Sequence, residues 1–178
     1  LVDDDPATAY EHAKRAKARA ARLGVVREAL GITAYHAGDY AIALAELRAA
    51  RRITGAPDHL ALIADCERGL GRPERALAVA DDPGVARLDP GARAELAIVV
   101  SGARRDLGQP DAAVAVLERH GVDGDDVTAW TPRLWYAYAD ALLAAGRRDE
   151  AREWFAAVLG VDEDETTDAA ERLAALGG

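Results

Sequence analysis

In four segments of these 178 residues a helical stretch, a glycine and a second helical stretch follow one another, with an alanine five residues after the glycine. The segments are AYHAGDYAIALAEL, ERGLGRPERALAVA, RRDLGQPDAAVAVL and LLAAGRRDEAREWF, with glycines Gly38, Gly71, Gly108 and Gly146 at intervals of 33, 37 and 38 residues and alanines Ala43, Ala76, Ala113 and Ala151. Self-similarity at this period marks a unit that cannot bury its own hydrophobic face and is stacked on copies of itself. Each part has a physical reason. Glycine just past a helix closes the last turn in the left-handed conformation without a Cβ penalty. Proline or aspartate follows it by one to three residues, as at Pro73, Pro110 and Asp149, and suits the first turn of a second helix. The alanine lets the two antiparallel helices approach closely while keeping high helix propensity.

Composition agrees with close helix packing. Half of the residues are hydrophobic, aromatics are 5% and methionine is absent, so the core is built from Ala, Leu and Val. The length suffices for a sizeable core without disulfides or metals, and the single Cys66 excludes an internal disulfide framework. No run of eighteen apolar residues lacks a charge, and Asp3, Asp4 and Asp5 stand where a signal peptide carries positive charge; no membrane partner and a cytoplasmic location are expected. Leu1 in place of Met suggests a start inside a longer protein.

The net charge of −9 is polarised: 9 basic and 7 acidic residues up to Arg52, 13 and 24 after it. An acidic chain repels phosphate backbones, and the cluster Lys14, Arg15, Lys17, Arg19, Arg22 is short and interrupted by alanines, so no nucleic-acid partner is expected.

With these residues in place the chain resembles the tetratricopeptide (TPR) repeat family, which places small residues at its eighth and twentieth positions and a glycine near its fifteenth. Gly31, Ala64, Ser101 and Ala139 supply the eighth; Leu30, Ile63, Val100 and Tyr138 precede them; Leu47, Ala80, Leu117 and Phe155 stand at the twenty-fourth. With its alanine-rich helices and 20 Arg against 2 Lys, the chain resembles TPR proteins of high-GC bacteria, a resemblance that supplies a fold and no activity. It implies an all-α solenoid of antiparallel hairpins, about ten helices in a right-handed superhelix, forming one domain over 1–178. Within it, 6–22 is the second helix of a truncated repeat, 24–57 a repeat, 58–89 a degenerate repeat, 90–121 and 132–160 repeats, and 164–177 a capping helix, the last reading as amphipathic from Thr166 to Leu176. Repeat two is interrupted at Ala80-Asp81-Asp82-Pro83-Gly84, and 120–131, with Asp123, Gly124, Asp125 and Asp126, reads as a protruding loop.

The resemblance also implies a concave groove lined by the first helices. Carried onto matching positions, its contacts are Glu28, Ile32, Tyr35 and His36, then Asp58, Asp65 and Arg68, then Glu95 and Arg105, then Arg133, Tyr136, Asp140 and Leu143. Glu28 and Ile32 stand where a chaperone-tail clamp carries Lys and Asn, which disfavours that ligand. The expected function is a non-enzymatic scaffold holding a protein or peptide segment. The alternatives are a structural or self-associating scaffold, with a homodimer possible if Trp135 and Trp154 form an exposed apolar patch, and a regulatory domain of a larger protein.

No catalytic constellation competes. The chain has no phosphate-cradling glycine motif and no metal-binding His pair, and His12, His36, His59 and His120 are scattered. Ser101, the sole serine, occupies a small-residue position, and Cys66 lies between Asp65 and Glu67, whose charges oppose a thiolate. The Gly-Asp run at 123–126 lacks the glutamate an EF-hand loop needs, and Asp162 to Glu165 reads as a solvated run ahead of a helix. No catalytic, cofactor-binding or metal residue is assigned.

Overall fold

The computed structural model describes residues 5–122 and 127–177; the 123–126 part of the expected loop lies outside them. Among the described residues are ten α-helices, one 3-10 segment and no strand. They fall into two compact units, Leu1–Leu88 and Asp89–Gly178. The first holds α1 (Pro6–Ala20), α2 (Gly24–His36), α3 (Tyr40–Thr54), α4 (Leu60–Gly69), α5 (Pro73–Val79) and the 3-10 turn Pro83–Arg87. The second holds α6 (Pro90–Asp106), α7 (Pro110–Glu118), α8 (Thr131–Ala144), α9 (Arg148–Leu159) and α10 (Ala169–Leu176). Helices pair in sequence as α2 with α3, α4 with α5, α6 with α7 and α8 with α9, while α1 packs on α2 and α10 on α9.

All four hairpins close the same way. Gly38, Gly71, Gly108 and Gly146 have φ of +76, +70, +68 and +78°, and a Cβ built on any of them meets nothing within 4 Å, so it is backbone conformation rather than space that requires glycine. Each donates its N–H to the carbonyl three residues back, and the next residue reaches the carbonyl five back, as in Gly38 to Tyr35 (2.9 Å) and Asp39 to Ala34 (2.8 Å). This is the Schellman closure, which satisfies two orphan carbonyls of the first helix. Asp39 then caps α3 by accepting from Ile42 N–H at 3.3 Å, and Asp5 and Asp89 cap α1 and α6 by accepting from Thr8 and Ala92 N–H at 3.0 and 2.8 Å.

Ala43, Ala76, Ala113 and Ala151 are fully buried at the hairpin contacts. A Cβ on Gly31 would lie 2.7 Å from Leu47 Cγ, so α2 and α3 approach too closely there for a side chain. The first unit's core joins Tyr10, Ala13, Leu30, Ala34, Leu44, Leu47 and Ile63; the second buries Leu96, Leu117, Leu134, Tyr138, Leu142, Phe155 and Val158. Ala80 departs from the pattern. The helix α5 is only seven residues long and ends before it, so Ala80 sits in a turn. Asp82 holds the break: its Oδ1 accepts from Gly84 N–H at 2.7 Å, and both its oxygens accept from Arg51, at 2.5 and 2.8 Å.

At the C-terminus the helix begins at Ala169, later than its amphipathic pattern predicts. The Asp162 carboxylate accepts from the N–H and hydroxyl of both Thr166 and Thr167, at 2.7–3.0 Å, and these bonds replace the helical ladder over 162–168.

Candidate functional site

The first helices α2 and α4 carry the groove positions of the first unit. The Tyr35 hydroxyl donates to Asp65 Oδ2 at 2.5 Å, and Arg68 donates to Asp65 Oδ1 at 2.8 Å, so one carboxylate on α4 ties the two helices. Burial first, then the Asp65 hydrogen bond, raises the Tyr35 pKa. The Tyr35 ring meets His36 and Tyr40 edge-on at centroid distances of 5.6 and 5.8 Å. Glu28 lies 3.0 Å from His59 Nε2, an ion pair when the imidazole is protonated. Ile32 packs on the core cluster rather than standing free, and Asp58 sits exposed in the turn before α4.

In the second unit the groove positions lie on α6 and α8. Arg133 pairs with Glu95 at 2.8 Å and Arg105 with Asp140 at 2.7 Å, linking the two first helices. Asp140 also accepts from Arg172 of α10, and Tyr136 hydrogen-bonds Asp168. Burial raises the Tyr136 pKa, with Asp168 adding to it, and burial raises Glu95 against the opposing charge of Arg133. The Tyr136 ring is edge-on to Phe155 at 5.5 Å. Between these helices and the 166–168 segment lies a cleft of about 440 Å³, lined by Ile98, Arg105, Arg133, Tyr136, Ala137, Asp140, Thr166, Thr167 and Asp168. Leu143 is half-buried beyond its lining.

Part of each candidate set thus comes together as polar rungs on the first helices, Tyr35, Asp65 and Arg68 in the first unit and Glu95, Arg105, Arg133 and Asp140 in the second, while Ile32, Asp58 and Leu143 stay outside them. The residues that sequence reasoning missed are Asp168 and Arg172. They stand 32 residues after Tyr136 and Asp140, and they bring α10 and its N-cap to α8 through Arg172 on Asp140 and Tyr136 on Asp168. That shared offset was the available signal. Also missed were two buried glutamates of the first unit. Glu46 is held by Lys17 at 2.5 Å and Arg27 at 2.9 Å. Glu67 is fully buried, with Arg48 at 2.7 Å on one oxygen and Arg72 at 3.6 Å from the other.

The remaining reactive types are spent on packing. Burial pushes the Cys66 thiol up to about 12, with Asp65 and Glu67 as lesser causes, so desolvation outweighs the flanking charges that the sequence points to. Ser101 is buried at its small-residue position. Trp135 and Trp154 are half-buried and meet edge-on at 5.3 Å, with Trp154 also against Tyr138 at 5.0 Å, so they pack on each other instead of forming an exposed patch. Among the described residues no group of three His, Cys, Asp or Glu is placed to hold a metal ion, and no helix is long and apolar enough to cross a membrane.

Residues 132–165 match the family model for the Tetratricopeptide repeat. They cover α8, α9 and the segment leading to α10, the elements that carry Arg133, Tyr136 and Asp140. Among solved structures, the fold is similar to the crystal structure of a thermophilic TPR protein of Thermus thermophilus. The TM-score is 0.72 over 94% of this chain and 88% of that one, at 23% sequence identity. No curated protein matches the sequence significantly.

Proposed function

We propose that the first-helix surface of this protein binds a segment of another protein, with the α6–α8 cleft as its principal seat, and that the chain works as a cytoplasmic interaction scaffold without chemistry of its own. The observation that carries the reading is the cleft itself. It sets guanidinium groups, carboxylates and a tyrosine ring around the apolar side chains of Ile98 and Ala137, in a volume of about 440 Å³ that suits a few residues of peptide. The likeness to TPR proteins supports it, since this fold generally mediates contact between proteins. In the first unit, Tyr35, Asp65 and Arg68 form a rung of the same kind.

The test is a peptide-display selection on the wild-type protein, followed by affinity measurement against Ala137→Trp, which fills the cleft from a half-buried position. Selected peptides are expected to lose at least about tenfold in affinity on the variant, the equivalent of 1.4 kcal/mol. Equal affinity for a variant with wild-type helicity and Tm overturns the cleft as the seat.

A further inference from the structure

The break in repeat two coincides with a groove inside the first unit. The second helix α3 runs fifteen residues, whereas its counterpart α5 runs seven before the chain turns at Ala80. Both helices pack on α4, and a groove of about 480 Å³ opens among the three.

Arginines dominate its walls. Arg48 and Arg51 reach it from α3 and Arg75 from α5, and the carboxylates that share the lining are Glu67 and Asp82. Both carboxylates are already held. Asp82 accepts from Arg51 on its two oxygens, and Glu67 accepts from Arg48 at 2.7 Å, with Arg72 of the α5 N-cap 3.6 Å from its other oxygen. Glu67 is fully buried, so it holds the exposed Arg48 and Arg72 guanidiniums in place before any ligand arrives. Arg48 donates to it through one nitrogen and keeps the other donors of a planar fork that matches a carboxylate. Arg75 is exposed and has no hydrogen bond or ion pair among the described residues. Four guanidiniums thus stand at the groove against two carboxylates, in a chain whose net charge is −9. Glu74 and Asp81, the next acids along the chain, are exposed and do not line it. The rest of the lining is aliphatic: Leu60 and Ile63 from α4, Ala78 and Val79 from α5.

We infer that this groove is a second binding site, which takes an acidic segment of a protein partner. The segment's carboxylates pair with Arg75 and with the unused donors of Arg48 and Arg72, and its apolar side chains lie on Ala78 and Val79. The excess of cations selects for acid and steers the encounter, and the aliphatic lining favours a peptide over a bare polyanion. A phosphate backbone is also repelled by the net charge of the chain. Every lining residue lies between Arg48 and Asp82, so the inference is independent of the α6–α8 cleft and stands if that cleft binds nothing.

The experiment is fluorescence anisotropy on the whole chain with three labelled probes: a peptide alternating glutamate with valine, its glutamine counterpart, and a single-stranded RNA. The variants are Arg75→Glu, Ala78→Trp, which fills the groove, and Arg52→Glu, which makes the same charge change on α3 outside the lining. All three positions are exposed, and circular dichroism with thermal melting checks that each variant folds. The glutamate peptide is expected to bind the wild type at least about tenfold tighter than the glutamine peptide, and to be released at about 1 M salt, where screening is nearly complete. Arg75→Glu and Ala78→Trp are each expected to weaken it at least about tenfold, and Arg52→Glu by no more than about twofold. Failure of the glutamate peptide to bind at low salt overturns the inference. So does wild-type affinity in folded Arg75→Glu or Ala78→Trp, or an equal loss in Arg52→Glu, which would mean diffuse charge in place of a groove. RNA bound as tightly as the peptide, with the same loss in Arg75→Glu, overturns the assignment to a protein segment. Self-association of the chain in sedimentation velocity, abolished by Arg75→Glu, gives the groove to a second copy and overturns it as well.

Discussion

The two units use acidic side chains in different ways. In the first, carboxylates lie inside the packing: Glu67 is fully buried, Glu46 nearly so, and each is neutralised by cations reaching in from neighbouring helices. Its 13 basic and 13 acidic residues cancel. In the second, 9 basic residues face 18 acidic ones, and the pairs that link its first helices sit at the rim of an open cleft. The repeat pattern is common to both, so the contrast lies in what decorates it. A carboxylate withdrawn from water demands its partner and fixes one packing, whereas a partly hydrated pair can be exchanged for a ligand at small cost.

The largest expected effect separates the units directly. Arg48→Met leaves the fully buried Glu67 carboxylate with only Arg72 at 3.6 Å and should cost about 2–3 kcal/mol. Arg105→Met in the second unit should cost about 1 kcal/mol or less, because Asp140 is 18% exposed and keeps Arg172. Chemical denaturation of both variants measures this, and equal losses would break the contrast. Next in size is the element the units share. Ala43→Leu and Ala113→Leu each overfill a fully buried hairpin contact and should each cost about 1–3 kcal/mol. An unchanged Tm for either contradicts the assigned pattern of close approach.

Capping gives a smaller difference. Asp89→Ala removes the cap of α6 at about 1 kcal/mol. Asp39→Ala should cost more in the same denaturation assay, since Asp39 also accepts the Tyr10 hydroxyl at 2.9 Å and ties α1 to the turn after α2. The smallest effect is local. Hydrogen bonds from Thr166 and Thr167 hold the Asp162 carboxyl down at about 2, from 3.8. A depressed folded-state pKa contributes stability that is present above 3.8 and lost as pH falls toward about 2. Hydrogen exchange at Thr166 and Thr167 N–H should therefore lose protection between those pH values; protection held constant through this range contradicts the role given to Asp162.

The hairpins were legible because their chemistry is local. A positive-φ glycine, a cap and a small residue at the crossing all act within one unit of sequence, and Gly38, Gly71, Gly108 and Gly146 behave alike. The start of α10 was misjudged because apolar spacing continues from Thr166, while four hydrogen bonds to Asp162 hold the chain out of the helix there. The surface was partly legible. Position within the repeat names Tyr35, Asp65, Arg105 and Asp140 but not their partnerships, which depend on the offset between one helix and the next: 30 residues from Tyr35 to Asp65 and 35 from Arg105 to Asp140. Glu46 and Glu67 were illegible because a charged residue on a helix reads as solvent-facing until its cationic neighbours are placed.

The most direct test of the binding surface is a hydrogen-exchange footprint of the whole chain with and without a display-selected peptide. Protection concentrated on α6, α8 and residues 166–168 is the predicted result. Protection confined to α7 and α9, with α6 and α8 unchanged, would contradict the assignment of the first helices as the face that meets a partner.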